Sequence, residues 1–369
     1  MTRTAILCER FEYPVELRSV LDAVVDSARA SLGEAAIIVL SPSVSTGDFL
    51  WRRTEAGVEL MSDLDGFVFT DAPAGRIADF EQTIARLAKE QGDPFFEIDL
   101  SVSRRAALAA LPETFQMVET GLAGFELVGD GALARFPTRF DPGASRQALL
   151  LNLWKPLASD EPDALARNVA RSLLDIPLIA TSEAGHCVPG HRARAEAFLA
   201  DPPEPFANEP VLAAALELAL AARTDPPGDP AALAAVVVPA LGAMLSRLDG
   251  GPPLPSRPDA SLVRRFARWI PRRTPRRLMG ELRSVLRRPS GPVRDLRWWE
   301  RRKEALGAAV CWGLLVSRFG GEAIAPETLD LLAAFAREPR LDLESPDLLE
   351  AARRQYRRGF VELYPSRAS

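Results

Sequence analysis

The chain has 369 residues, of which 47% are hydrophobic and 26% charged, and a formal net charge of −5. That length carries two or three domains with sizeable cores, and the balance is ordinary for a globular protein. Its three cysteines, Cys8, Cys187 and Cys311, are odd in number and far apart, which excludes a disulfide framework and points to a reducing cytoplasm.

At the start, Met1-Thr2-Arg3-Thr4 leads into Cys8-Glu9-Arg10-Phe11-Glu12 without the apolar core of a signal peptide, so a cytoplasmic location is expected. Pro14 to Leu32 reads as the first helix, with Leu17, Val20, Leu21, Val24, Val25, Ala28 and Leu32 at helical spacing and Gly33 as its stop. Ala36 to Leu40 is a short β-branched strand bounded by Pro42 and small hydroxyl residues. After a loop, Gly66-Phe67-Val68-Phe69 is a second strand headed by Asp63 and Asp65, which stand two apart and so share a face. Arg76 to Glu90 repeats at helical spacing through Ile77, Phe80, Ile84 and Leu87, and Gly92 and Pro94 close it. Phe95 to Leu100 is a third apolar strand carrying Glu97 and Asp99. A helix near Pro112 to Glu119 and an extended piece at Phe125 to Val128 follow, ending on Gly129-Asp130. This order predicts an α+β domain over residues 1–140, with a small mixed sheet in which the Asp99 strand neighbours the Asp63 strand.

Two carboxylates on one face raise each other's pKa unless a cation lies between them. Three converging from adjacent strands form an oxygen-rich site suited to Mg²⁺, which takes a few carboxylates together with substrate phosphates. Asp63, Asp65 and Asp99 are therefore candidate metal ligands. The alternative is a solvated acid pair at a strand start. Glu97, on the face of Asp99, is either an auxiliary acid or a carboxylate paired with an arginine.

These residues resemble a family. Strand, Ser-containing loop, Asp-x-Asp strand, helix and a third Asp on a later strand are similar, over residues 14–140, to the nucleotidyltransferase superfamily related to DNA polymerase β. Within it the resemblance is to nucleotidyltransferase-like proteins of bacterial surface-polysaccharide gene clusters. Leu40-Ser41-Pro42-Ser43 stands at the family's Gly-Ser turn, Gly47-Asp48 at its small-x-Gly-acid segment, and Ser62-Asp63-Leu64-Asp65 at its Ser-Asp-x-acid segment. The resemblance implies two divalent ions, Mg²⁺ or alternatively Mn²⁺, on Asp63, Asp65 and Asp99, with Asp99 also the general base. It implies that Ser41, Ser43 and Gly47 bind the phosphates of an NTP, whose nucleoside monophosphate passes to a hydroxyl or phosphate acceptor in surface-polysaccharide synthesis. Two positions depart from the pattern. Pro42 stands where the family has Gly and lacks a backbone donor for a phosphate cradle, and Thr46 stands where relatives often carry Arg. The rival expectation is a catalytically inactive binding or scaffold protein that keeps the fold and acts through a basic helical surface.

From Gly143 on, Ala, Leu and Arg dominate and helices follow one another without an alternating strand: Gly143 to Trp154, Asp163 to Ile176, Arg192 to Leu199, then further helices. Pro-rich breaks at Asp201 to Pro210, Thr224 to Pro230 and Asp249 to Pro258 separate the later ones. Residues 141–369 are thus predicted to form an all-helical domain. The apolar runs Ala231 to Leu245, which contains Pro239, and Leu306 to Val316 fall short of the roughly 20 residues a spanning helix needs and read as buried helices. His186, Cys187 and His191 match no standard zinc spacing and have no evident fourth ligand; a histidine facing a phosphate and a surface histidine are the other readings.

Between Arg257 and Lys303, sixteen basic residues face four acidic ones, a net of +12; since the whole chain carries −5, the remainder carries −17. Doublets at Arg264-Arg265, Arg272-Arg273, Arg276-Arg277 and Arg287-Arg288 alternate with apolar residues, and Trp298-Trp299 follows. Such a segment pairs with the acidic remainder of its own chain, docks on an anionic membrane surface or lipid-linked substrate, or binds nucleic acid. The second reading puts the protein at the inner membrane face.

Overall fold

The computed structural model describes residues 1–91, 96–129, 131–139, 146, 149–150, 152–158, 160–224, 229–248, 250–270, 303–345 and 347–363. The chain divides into two compact units, Met1–Asp141 with Cys187–Glu196, and Pro142–His186 with Ala197–Ser369.

All strands found among the described residues lie in the first unit. β1 (Ile37–Leu40), β4 (Leu64–Phe69), β5 (Ile98–Ser103) and β6 (Phe125–Val128) form a small mixed sheet in the order β5-β4-β1-β6. β1 runs antiparallel to β4 and β6, whereas β4 and β5 are parallel. A parallel pair needs a crossover, and α4 (Ala74–Glu90) supplies it. β2 (Trp51–Thr54) and β3 (Gly57–Leu60) make a separate hairpin inside what the sequence presents as a loop. α1 (Arg3–Arg10), α2 (Val15–Leu32), the one-turn α3 (Pro42–Ser45) and α5 (Phe115–Ala123) complete the unit.

Alternation along the strands sorts side chains onto two faces. Ile38, Leu40, Leu64, Val68 and Leu100 pack with Leu17, Val20, Leu21 and Val24 of α2 and Phe80 and Ile84 of α4. The opposite face carries Ile37, Val39, Phe67 and Phe69, covered by Leu108, Ala132 and Phe136. Fully burying one such side chain contributes about 1.5–3 kcal/mol, so the larger cluster on the first face dominates the unit's stability.

The regular elements described in the second unit are helical. α6 (Pro162–Glu183) is followed by α7 (His191–Ala200), which begins in the first unit, and then by α8 (Pro210–Thr224), α9 (Pro230–Arg247), α10 (Ala260–Trp269), α11 (Lys303–Gly320), α12 (Pro326–Ala336) and α13 (Leu348–Leu363). α6 runs beyond the end predicted at Ile176 and carries Pro177 inside it, because Leu173, Leu174, Ile176, Leu178 and Ile179 are buried on both sides of the proline. α9 is long and apolar enough, by length and composition, to cross a membrane; Leu233, Val237, Leu241, Met244 and Leu245 are buried within the unit, and the helix packs against α6 and α8.

Arginines staple this unit from inside. Arg265 is buried and donates to the carbonyls of Pro252 (2.7 Å) and Leu245 (3.2 Å). Arg318 on α11 and Arg353 on α13 converge on Asp160 and also donate to Pro156 O (3.1 Å) and Leu157 O (2.7 Å), respectively. Arg264-Arg265 and the rest of 257–270 are described, but residues 271–302 of the arginine-rich segment, including three of its doublets and Trp298-Trp299, lie outside the described residues. Cys8, Cys187 and Cys311 are free thiols. Burial pushes Cys8 up to about 11 and Cys311 up to about 12.

Candidate functional site

Asp65 and Asp99 are direct register partners across the parallel pair β4–β5, so both side chains leave the same face of the sheet. The ladder continues past the first residue of β4, where Leu64 N–H donates to Glu97 O at 2.8 Å, and Asp63 stands two residues before Asp65. Asp99 is exposed, while Asp63 and Asp65 are half-buried. Further along this face come Phe67 and Phe69, so the carboxylates occupy the polar end of a face whose other end is apolar. Glu97 is exposed beside them. Among the described residues, no group of three or more His, Cys, Asp or Glu side chains is placed to hold a metal ion. The paired Asp65 and Asp99 match in number and hardness what Mg²⁺ takes from protein, one or two carboxylates with substrate phosphates completing its shell.

The loop after β1 starts directly beside Asp65, since Ser41 N–H donates to Asp65 O at 2.9 Å. Pro42 is the first residue of α3. Proline is well suited to that position, because its φ is preset for a helix and the N–H it lacks would find no intrahelical acceptor there. Ser41 precedes it with only 5% exposure, and neither Ser41 Oγ nor Ser43 Oγ, both buried, has a hydrogen-bond partner. Gly47 has φ +80°, a backbone conformation that favours glycine, and a Cβ there would lie 3.1 Å from the ring of Phe11, which would have to give slightly.

The loop is tied down from several sides. Tyr13 is buried and donates its hydroxyl to Val44 O at 2.9 Å; burial holds this phenol well above its ordinary range. Ser45 Oγ donates to Ala123 O. Thr46 Oγ1 lies 2.8 Å from Pro42 O and 3.1 Å from Asp48 Oδ2. Asp48, 5% exposed, accepts the backbone N–H groups of His191 at 2.6 Å and Arg192 at 3.2 Å, the first residues of α7.

Next to this contact, Glu119 of α5 accepts Gly190 N–H at 2.9 Å and pairs with Arg194. Arg194 is 1% exposed; its Nε donates to Val188 O at 2.9 Å and its guanidinium lies 5.3 Å from the ring centre of Phe115. Burial, with Glu119 adding to it, pushes the Cys187 thiol up to about 11, against the lowering effect of Arg194. His186 is exposed, Cys187 and His191 are half-buried, and they belong to no metal-holding group among the described residues.

The sequence had singled out Asp63, Asp65, Asp99, Ser41, Ser43 and Gly47, and these fall at one end of β4 and β5 and in the adjoining loop. What it missed is the set formed by Asp48, Glu119, Gly190 and Arg194. These contacts join residues 71 to 144 positions apart, and no local periodicity records such a pairing. The only local hint is the Gly190-His191-Arg192 helix start, since a helix N-terminus favours a carboxylate. Comparison with protein families, curated proteins and solved structures finds no match for this chain.

Proposed function

We propose that the chain is a Mg²⁺-dependent nucleotidyltransferase that moves a nucleoside monophosphate from an NTP to a hydroxyl or phosphate acceptor. The first unit would be its nucleotidyltransferase domain and the helical region the domain that follows. The observation that carries this reading is the pairing of Asp65 with Asp99 next to the buried, partnerless hydroxyls of Ser41 and Ser43. Neighbouring strands run about 4.8 Å apart, so the two carboxylates repel each other and a cation between them relieves the repulsion. Mg²⁺, or Mn²⁺ in its place, would supply charge neutralisation and orientation of the triphosphate when bound.

Each chain residue then has a task. Asp65 and Asp99 hold the ion, with Asp63 contributing from the strand start. Asp99, the most exposed of the three, takes the proton of an acceptor hydroxyl. Ser41 and Ser43 donate to phosphate oxygens, which satisfies hydroxyls whose burial without a partner costs about 1–3 kcal/mol each. With Pro42 unable to donate a backbone N–H, the two hydroxyls carry the cradle. A surface-polysaccharide acceptor rests on family resemblance alone.

A second reading, a retained fold that binds without catalysing, is favoured by the lack of a close three-carboxylate set among the described residues. Calorimetry with NTPs and Mg²⁺ or Mn²⁺, on the wild type and on Asp63→Ala/Asp65→Ala, separates the two. Metal-dependent binding that the double substitution abolishes is expected. No NTP binding by either protein removes the enzyme reading, and binding that survives the substitutions moves the site elsewhere.

A further inference from the structure

We infer that Asp48 is a positioning residue: it clamps the loop carrying Ser41 and Ser43 to residues 188–194, so that the serine turn takes its conformation from a segment far along the chain. The functional half of this inference rests on the nucleotidyltransferase reading.

The clamp is built at both ends. At the far end, the Asp48 carboxylate receives the N–H groups of His191 and Arg192, 143 and 144 residues away, which are the first donors of a ten-residue helix. A buried carboxylate is tolerated where charge-assisted bonds and a helix N-terminus compensate its desolvation, and both are present. Gly190 makes the approach feasible: its φ is +87°, and a Cβ on it would sit 2.6 Å from Asp48 Oδ2. Glu119 and Arg194 fix the same segment independently, through Gly190 N–H and Val188 O.

At the near end, Thr46 relays the contact. Its hydroxyl donates to Asp48 Oδ2 at 3.1 Å, its backbone N–H donates to Pro42 O at 2.8 Å, and Pro42 lies between Ser41 and Ser43. A continuous polar path therefore runs from the N–H groups of α7 through Asp48 and Thr46 to the turn beside Asp65. Without the carboxylate, the loop loses its tie to α7 and the N–H groups of His191 and Arg192 lose their acceptor, so the turn visits other conformations. A ligand that requires the clamped conformation then binds more weakly in proportion to the lost population.

The experiment uses the full-length chain as wild type, Asp48→Ala, Asp48→Asn and Gly190→Ala, with amide hydrogen exchange, thermal melting and NTP calorimetry on each. Gly190→Ala is expected to speed exchange in residues 41–49, where nothing was changed, and Asp48→Ala to speed it in 188–194, each by about tenfold or more. Asp48→Asn keeps an oxygen acceptor and restores part of the protection. If NTP binds the wild type, its dissociation constant rises about tenfold in Asp48→Ala and Gly190→Ala at temperatures where both remain folded. Should Asp48→Ala fail to fold, Asp48→Asn and Gly190→Ala carry the test from the two ends. Exchange changes confined to the substituted segment overturn the clamp. Coupled exchange with undiminished NTP affinity overturns the positioning role. Coupled exchange in a wild type that binds no NTP leaves the clamp standing and removes the nucleotidyltransferase reading alone.

Discussion

Tyr13 packs its ring against Phe11 and Phe49, with centroids 5.6 and 5.8 Å away, and directs its hydroxyl at Val44 O in the loop after β1. Tyr13→Phe keeps the packing and removes the hydroxyl, which donates to Val44 O and is also met by the Phe49 and Gly47 backbone. The expected cost is about 1 kcal/mol, read as a lower urea midpoint with an unchanged slope; an unshifted midpoint would mean that the bond contributes nothing. Single residues also show what a sequence can disclose. That Asp65 and Asp99 share a face was legible because period-two alternation is a local rule that holds wherever a strand forms. Pro42 reads as a defect in a phosphate loop, yet as the first residue of α3 it is a favoured residue for its place. The partners of Asp48 and Arg194 were illegible, since a buried charge gets its meaning from residues that the local sequence does not contain.

Among the elements, β4, like β1, is an interior strand, pairing with β1 on one side and β5 on the other. Gly66 stands at its centre, and a Cβ there would lie 2.7 Å from Val39 O and 3.0 Å from Leu100 Cδ2. Gly66→Ala must therefore push two strands apart and is expected to destabilise the protein by about 1–3 kcal/mol or more. Chemical denaturation measures this, and a variant as stable as wild type would contradict the tight crossing. α2 and α4 were readable from their apolar period, and β1 and β4 from β-branched and aromatic runs. The β2–β3 hairpin was not: its two-residue turn, Glu55-Ala56, has neither Asn nor Gly, and Arg52-Arg53 interrupts the apolar alternation. β5 is described from Ile98 to Ser103, later than the stretch ending at Leu100 that its apolar residues suggest; Phe95 lies outside the described residues.

At the scale of the whole molecule, the arginines divide between a run dense in positive charge and a set of internal staples. Asp160, 65% exposed, joins Arg318 and Arg353, each 10% exposed. The hydrogen bond from Arg353 holds its carboxyl below the ordinary 3.8. A depressed carboxyl stabilises the fold above its unfolded value, and that contribution is lost as pH falls through the folded one. Melting temperatures recorded downward from neutral pH should therefore drop more steeply below about pH 4 in the wild type than in Asp160→Asn. The variant should already melt lower at neutral pH, because two nearly buried guanidinium groups lose their shared carboxylate; parallel acid limbs would rule this out. The change of texture near residue 143 was visible in composition alone. The membership of Cys187–Glu196 in the first unit was not, because it is decided by Asp48 and Glu119 and not by the segment's own residues.

That membership has a consequence for how the protein is made. Synthesis runs from the N-terminus, and domains tend to fold as they emerge. Here the α+β unit still lacks a part when Asp141 has left the ribosome. The N–H groups for Asp48 and the guanidinium for Glu119 arrive only after Pro142–His186 has been translated. The first unit therefore cannot reach its final state before the residues of the first long helix of the second have been synthesised.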